Sequence, residues 1–298
     1  MKAEENMSET LNPTKIMIEP IFVEVFLFSH YPENPMKIYV ATHKKIDYLP
    51  NDKIYVPLHV GAALHDKLPY ISDDTGDNIS VKNPNFCELT GHYWVWKNSD
   101  EDIVGMVHYR RYFSTEKGYW YKLFTGKNGF ILSEQDINEA LKDHDAIVST
   151  LGHSPRSMKN MLNAYGGSHH RKDLEETVRI ILEKYPEYRE TIEKDLLNNV
   201  EFYPANMIIC RKEVFDSYCK WLFDVLFELE KRVDISDYTP YQKRIFGFIS
   251  ERIFKVWLDQ NNIRLAERHI INTEDPNMFG FAVKEIKRYF SIRKGDKL

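Results

Sequence analysis

Two adjacent arginines follow a short apolar run near the middle of the chain. The run covers 103–107, and His108, Arg110 and Arg111 come after it. Each guanidinium presents five N–H donors in a planar fork, so these side chains could hold a diphosphate and neutralise it without a metal ion. Ordinary surface ion pairs are the alternative interpretation. Because successive strand residues point to opposite faces, at most one of the two arginines should face a ligand if the strand continues.

The densest polar segment, 72–84, surrounds a single glycine and precedes an aromatic-rich helical pattern over 86–96. Its amide, hydroxyl and ammonium groups are donors that suit a ribose or a phosphate, and they belong to Asn78, Ser80, Lys82 and Asn83. An exposed loop can have the same composition without binding a ligand. The composition therefore leaves both interpretations open.

Acidic residues occur in two settings that could support catalysis. Asp143 and Asp145 flank a histidine before the apolar run 146–148, and such carboxylates can ligate Mg²⁺ or Mn²⁺ beside a nucleotide diphosphate. Their position before the strand, rather than after it, counts against a metal site. Glu251 lies in an apolar helical pattern, where burial would raise the pKa of its carboxyl group and suit it to general-base catalysis. Pairing of Glu251 with a nearby arginine is an equally ordinary interpretation.

A pair of glycines at 166–167 precedes His169 and His170 at the predicted start of a helix. The accessible polar loop that these residues form could contact a sugar or a phosphate. A zinc site would need more ligands than the two histidines provide.

Short apolar runs predict the strands that would position these groups. Five runs have the length of buried strands, and they lie at 36–43, 54–56, 103–107, 146–148 and 207–210. Apolar residues at helical spacing occupy the intervals over 174–182, 215–229 and 245–257. Strands that alternate with helices predict an α/β fold with a mostly parallel sheet covered on both faces. Ligands bind such sheets at the carboxyl ends of the strands.

The composition of this 298-residue chain excludes several classes of protein. A hydrophobic content of 43% is too high for a disordered chain. The net charge of -5 argues against nucleic-acid binding, because proteins that neutralise many phosphates usually carry excess Lys and Arg. The three cysteines, Cys87, Cys210 and Cys219, lack disulfide or zinc spacing, which favours a reducing, cytoplasmic compartment. Apolar runs are shorter than the roughly 20 residues that cross a bilayer.

The sequence predicts three parts. Residues 1–35 form an N-terminal extension, 36–275 the α/β domain and 276–298 a basic tail. Between 284 and 298, six Lys or Arg residues oppose two acidic residues, which gives a local charge of +4 among aromatic and aliphatic side chains. Such a segment could rest on anionic lipid at the inner face of the plasma membrane. A solvated terminal helix is an equal alternative.

Several of these segments together resemble one bacterial protein family. The motifs lie at 77–83, 88–90, 93–98 and 105–113, and the likeness continues through 165–173, 185–188 and 246–252. The family comprises capsular and exopolysaccharide biosynthesis proteins that were long a domain of unknown function and are now regarded as galactofuranosyltransferases. The resemblance implies a single-domain GT-A-like fold that transfers galactofuranose from UDP-galactofuranose to a growing glycan.

The resemblance also implies roles for individual residues. Thr42 and His43 would border the uracil, and the donor pocket would be formed by Asp73, Asn78, Ser80, Lys82 and Asn83. The diphosphate would lie near His108, Arg110 and Arg111. Glu251 is the first candidate for the general base, with Asp73 and Glu88 as the next candidates. Candidate contacts with the sugar or the acceptor are Glu88, Trp94, His169 and His170.

The Asp-x-Asp motif of many GT-A enzymes should follow a central strand, where this chain has His108, Tyr109 and Arg110. A metal ion, Mg²⁺ or Mn²⁺ at Asp143 and Asp145, is therefore not expected to be strictly required. The implied acceptor is a lipid-linked oligosaccharide of capsule, exopolysaccharide or O-antigen synthesis. Two alternatives are a transferase for another UDP-hexose and a non-catalytic glycan-binding scaffold. The arginine pair at the end of a strand favours an enzyme.

Overall fold

The computed structural model describes residues 35–116 and 129–274, with the side chain of Arg156 left out. Eleven strands occur in these ranges: β1 (Met36–Thr42), β2 (Tyr55–His59), β3 (Ile71–Ser72), β4 (Ile103–His108), β5 (Arg111–Phe113), β6 (Ala146–Ser149), β7 (Gly152–His153), β8 (Glu201–Phe202), β9 (Ile208–Arg211), β10 (Leu265–Arg268) and β11 (Ile270–Asn272). The α-helices of the same ranges are α1 (Asn83–Phe86), α2 (Leu89–Asn98), α3 (Glu134–Asp143), α4 (Met161–Gly166), α5 (Arg171–Lys184), α6 (Arg189–Ile192), α7 (Lys212–Arg232) and α8 (Ile245–Gln260). All five strands predicted from apolar runs are present.

The central sheet has the order β10-β6-β9-β4-β1-β2-β3. Neighbouring strands are parallel except β9, which is antiparallel to both β4 and β6. The short strands β5 and β11 pair with each other, and β5 also pairs with the end of β4. Because β1, β2 and β4 run in the same direction, their carboxyl ends meet at one edge of the sheet. The amino end of β9 reaches the same edge.

The central strands are buried on both faces because their side chains alternate between two hydrophobic cores. In β1, Tyr39 and Ala41 belong to one core, whereas Ile38 and Val40 belong to the other. The apolar faces of α7 and α8 cover the first core, and α3 packs on the second. This arrangement confirms the predicted α/β fold with a GT-A-like, mostly parallel sheet.

Two predicted segments lie outside the described residues. They are the basic tail 276–298 and, apart from Pro35, the extension 1–35. Among the residues that are described, no helix has the length and apolar character that crossing a membrane requires.

Candidate functional site

A cleft of about 530 Å³ lies at the carboxyl ends of β1 and β4. Eight of the predicted site residues line it: Thr42, His43, Asn83, Glu88, His108, Arg110, Arg111 and Glu251. The cleft therefore occupies the position that a parallel sheet predicts for a ligand. Its basic part is formed by Arg110 and Arg111, and its acidic part by Glu88 and Glu251.

Both arginines face the cleft because β4 does not continue past His108. The chain turns at Tyr109 and Arg110, and Arg111 then pairs with His108 in the antiparallel strand β5. The restriction to one arginine applied only to a continuous strand, and since β4 ends at His108, both Arg110 and Arg111 line the cleft. The Arg110 guanidinium lies 3.4 Å from Glu274, whereas the Arg111 side chain forms no ion pair within the described ranges.

Polar and aromatic side chains follow β1 beside the basic part. The ring of His43 meets Tyr109 edge-on with 5.7 Å between centroids, and the Lys44 ammonium lies 4.7 Å from the Tyr109 centroid. Burial lowers the pKa of His43, and the nearby cations Lys44 and Arg110 lower it further. A neutral imidazole beside an aromatic ring is compatible with a flat, uncharged base such as uracil.

Glu251 is held by two donors in the acidic part. Its Oε1 accepts a hydrogen bond from the Ala205 amide at 2.9 Å, and its Oε2 pairs with the Arg252 guanidinium at 3.0 Å. Burial raises the pKa of the Glu251 carboxyl group, and the neighbouring Glu88 raises it further, while Arg252 opposes the rise. A carboxylate fixed in this way can accept a proton without first reorienting.

A strained loop joins the acidic part to β4. Ala205 and Asn206 have φ angles of 76° and 48°, a left-handed conformation that asparagine tolerates better than alanine. His108 Nε2 donates to the Ala205 carbonyl at 2.7 Å. Asn206 donates to Glu88 Oε1 at 2.7 Å and accepts from the Ser250 hydroxyl at 2.9 Å. Such strain persists only where surrounding contacts fix it, and it is frequent at functional sites.

Arg244 and Cys87 also line the cleft, and neither was predicted from the sequence as a site residue. The Arg244 Nε donates to the Cys87 sulfur at 3.2 Å, and burial raises the pKa of the Cys87 thiol to about 11. A neutral thiol leaves the charge of Arg244 available to an anionic ligand. Arg244 precedes Glu251 by seven residues, so the helical spacing of 244, 248 and 251 was the available signal.

The polar loop 72–84 mostly supports the cleft wall. Both carboxylate oxygens of Asp73 accept hydrogen bonds, from the amides of Gly61 and Ala62 at 2.9 and 3.0 Å and from the Ser80 hydroxyl at 2.5 Å. Gly61 has a φ of 70°, and a Cβ there would lie 2.6 Å from Asn83, so glycine is required. Asp73 is fully buried and does not line the cleft, so its contacts here are those that hold the loop in place.

Three other predicted contacts lie outside the cleft lining. Asn78 caps its own loop, with Oδ1 accepting from the Ser80 amide. Lys82 pairs with Glu230 at 2.6 Å. Trp94 is buried and donates to the Thr75 carbonyl at 3.1 Å, so it acts as a core residue.

Both predicted histidines are stacked on aromatic rings. His169 lies 4.1 Å from the Phe248 ring, and His170 lies 4.0 Å from the Tyr238 ring, measured between centroids. Neither histidine lines the cleft itself. His169 nevertheless belongs to the surface that continues from Arg244, because Arg244 also packs on Phe248.

Asp143 and Asp145 lie before β6, at the opposite end of the sheet from the cleft. Both Asp145 oxygens accept from Arg264, at 3.0 and 2.7 Å, and this bond lowers the pKa of Asp145. Within 35–116 and 129–274, no three His, Cys, Asp or Glu side chains form a group that could hold a metal ion. Asp143 and Asp145 therefore do not lie beside the arginines of the cleft.

Comparison with known proteins defines the class of this chain. A family model described as a domain of unknown function, DUF4422, matches residues 37–262. The chain belongs to this family, which confirms the resemblance found in its motifs.

Among solved structures, the chain is similar to the apo structure of the bifunctional glycosyltransferase WbbM. The TM-score is 0.73 with 32% sequence identity, over 81% of this chain and 46% of the WbbM chain. The chain thus spans less than half of the length of WbbM. No curated protein matches the chain.

Proposed function

We propose that this protein is a glycosyltransferase that moves galactofuranose from UDP-galactofuranose onto a lipid-linked glycan. The observation that carries the proposal is one cleft at the carboxyl edge of the sheet that holds cations and a carboxylate of raised pKa. Membership of DUF4422 and the fold similarity to WbbM support the transferase class. The donor sugar rests on the family resemblance.

In the proposed reaction, an acceptor hydroxyl attacks the anomeric carbon while the bond from that carbon to the UDP oxygen breaks. The hydroxyl proton passes to Glu251, and the electron pair of the broken bond leaves with UDP. The guanidinium groups of Arg110, Arg111 and Arg244 stabilise the charge that grows on the diphosphate. Thr42, His43 and Tyr109 would receive the uridine.

The three guanidinium groups offer a way to neutralise the diphosphate without a divalent ion. Their planar forks match phosphate oxygens in a bidentate geometry. Mg²⁺ or Mn²⁺ would therefore add to the affinity for the donor without being strictly required.

Thermal unfolding with UDP tests the donor site. A ligand that binds the native state at 100 times its Kd stabilises it by about 2.7 kcal/mol. We expect UDP to raise the unfolding temperature in EDTA as well as in Mn²⁺, and UDP-galactofuranose to do the same. No response to UDP in either condition would contradict the proposal.

Donor choice is tested by product formation. We expect transfer from UDP-galactofuranose onto a lipid-linked oligosaccharide, and no transfer from UDP-galactopyranose or UDP-glucose. Faster transfer from one of the pyranose donors would retain the transferase class and replace the sugar.

We also propose that the tail 276–298 brings the protein to the membrane surface that carries the acceptor. The segment 284–298 has a charge of +4, which anionic lipid attracts. Flotation with vesicles of phosphatidylglycerol and phosphatidylethanolamine should recover the full chain and lose the chain without 284–298. Equal flotation of the two proteins would contradict this part of the proposal.

A further inference from the structure

An exposed aromatic surface adjoins the acidic part of the cleft. Tyr241 is 55% exposed, and no other Phe, Tyr or Trp in 35–116 and 129–274 is as open to solvent. Its ring lies 5.1 Å from Phe248 and 5.9 Å from His169, between centroids. We call these three residues the aromatic platform.

Hydrogen bonds from the next residue fix the platform. Gln242 donates through Nε2 to the Ser168 carbonyl at 2.8 Å, and its Oε1 accepts from His169 Nδ1 at 3.0 Å. These bonds tie the turn that carries Tyr241 to the loop that carries His169. An exposed ring held in place loses little conformational entropy when it binds a ligand.

Helix α8 connects the platform with the proposed general base. Arg244 is the residue directly before the helix, and Phe248 and Glu251 lie within it three residues apart, on one face. The Arg244 guanidinium lies 5.3 Å from the Phe248 ring and 5.9 Å from the Tyr241 ring, while its Nε donates to Cys87 inside the cleft. The platform is thus continuous with the cleft at Arg244.

We propose that the aromatic platform binds the terminal hexopyranose of the acceptor glycan, an inference that rests on the proposed function. A pyranose has an apolar face of C–H groups and an edge of hydroxyl groups. The Tyr241 ring matches the face, and Arg244 and Glu251 offer a donor and an acceptor to the edge. A sugar stacked on Tyr241 would direct a hydroxyl along the helix toward Glu251.

The nucleoside is a weaker match for this surface. The ring of Tyr109 and the neutral His43 lie beside Arg110 and Arg111, two of the three arginines proposed to hold the diphosphate, whereas the platform contacts only the third, Arg244. The platform lies beside the proposed base, where the attacking hydroxyl is needed.

Saturation-transfer NMR on the full chain with UDP present tests the proposal. The probes are methyl β-D-galactopyranoside, methyl α-D-mannopyranoside and the methyl glycoside of N-acetylglucosamine. We expect ring-proton signals from at least one probe, a loss of about tenfold in affinity in Tyr241→Ala, and retention in Tyr241→Trp. Leu197→Ala, which removes another exposed apolar side chain outside the cleft lining, is the matched control.

Three results would overturn the platform: no signal from any probe, equal signals in wild type and Tyr241→Ala, or displacement of the probe by UDP. UDP-dependent thermal stabilisation of the same variants separates the two proposals. If UDP still stabilises Tyr241→Ala and this variant binds the probe as the wild type does, the platform is rejected and the donor site is retained. Absence of stabilisation in the wild type rejects the proposed donor site, whatever the probes show.

Discussion

At the start of β5, Arg111 forms no ion pair within the described residues, whereas in the acidic part both oxygens of Glu251 accept hydrogen bonds. Arg111 of the basic part and Glu251 of the acidic part thus differ in how much their charges interact with the protein itself, while Arg110 pairs with Glu274. A cation without a partner keeps its full attraction for an anionic ligand. A fixed carboxylate keeps its orientation when no ligand is present.

This difference corresponds to two tasks in group transfer. Binding of a mobile diphosphate is favoured by charges that the protein does not already neutralise. Proton transfer is favoured by a base whose position is set in advance, because no reorganisation is then required in the transition state. The predictions below test whether each part has the task that its contacts indicate.

The largest effect is expected from Glu251→Gln. The amide keeps the shape of the side chain but cannot accept a proton, so the transfer rate should fall by about 10² to 10⁴. UDP-dependent thermal stabilisation should remain, because the basic part is intact. Transfer within threefold of the wild-type rate would assign the base to another group.

A smaller loss is expected from Arg111→Ala. Removal of one preorganised donor from a developing anion costs about 10² to 10³ in rate. UDP stabilisation should weaken at the same time. The matched control is Arg264→Ala, which removes an exposed arginine paired with Asp145 at the other end of the sheet. Equal effects of the two variants on UDP binding would contradict the assignment of the basic part.

The loop that joins the two parts is tested by Asn206→Ala and Asn206→Gly. Both variants lose the amide that contacts Glu88 and Ser250, which should lower the free energy of unfolding by about 1 to 3 kcal/mol. Glycine tolerates a φ of 48°, so Asn206→Gly should be more stable than Asn206→Ala by about 1 kcal/mol. Urea unfolding measures both values, and identical stabilities would exclude backbone strain at this position.

The pH dependence of transfer is expected to change in Glu88→Gln. Transfer requires ionised Glu251, so the rate falls as the pH decreases through the pKa of Glu251, which burial and Glu88 raise. Removal of the Glu88 charge lowers that pKa, so the fall in rate should move to lower pH. If the pH at which the transfer rate falls is unchanged or higher in this variant, Glu88 does not raise the pKa of the base.

The smallest effect is expected from Lys82→Met. Lys82 lies outside the cleft lining and pairs with Glu230 on the surface, so its loss should change stability by less than about 1 kcal/mol. UDP stabilisation should be unchanged. A large loss of UDP binding would extend the basic part into the loop 72–84.

Residues next to strands in the sequence could be predicted as site residues. The apolar run 103–107 marked β4, and the rule that ligands bind at the carboxyl ends of strands then selected His108, Arg110 and Arg111. The hairpin turn that exposes both arginines carries no Gly or Asn signal, so the sequence left open whether the strand continues past the run.

Residues brought to the cleft by long-range packing could not be predicted. Ala205, which lines the cleft, and Asn206, which contacts Glu88, lie about 100 residues beyond the end of β4, and their roles depend on contacts that no local pattern encodes. Lys82, Asn78 and Trp94 lie outside the cleft lining. A polar loop has similar side chains whether they bind a ligand or hold their own turn together, as Asp73 and Ser80 do here.

The antiparallel pairing of β9 with β4 has a consequence for folding. Met106 pairs with Ile208, so a chain segment of about 100 residues must close before this pair forms. The pairs of β1 with β2 and with β4 span shorter segments and have a lower entropic cost of closure. We therefore expect the basic part to form early and the acidic part to join it late, so that a folding intermediate without β9 would carry the arginines but no positioned base.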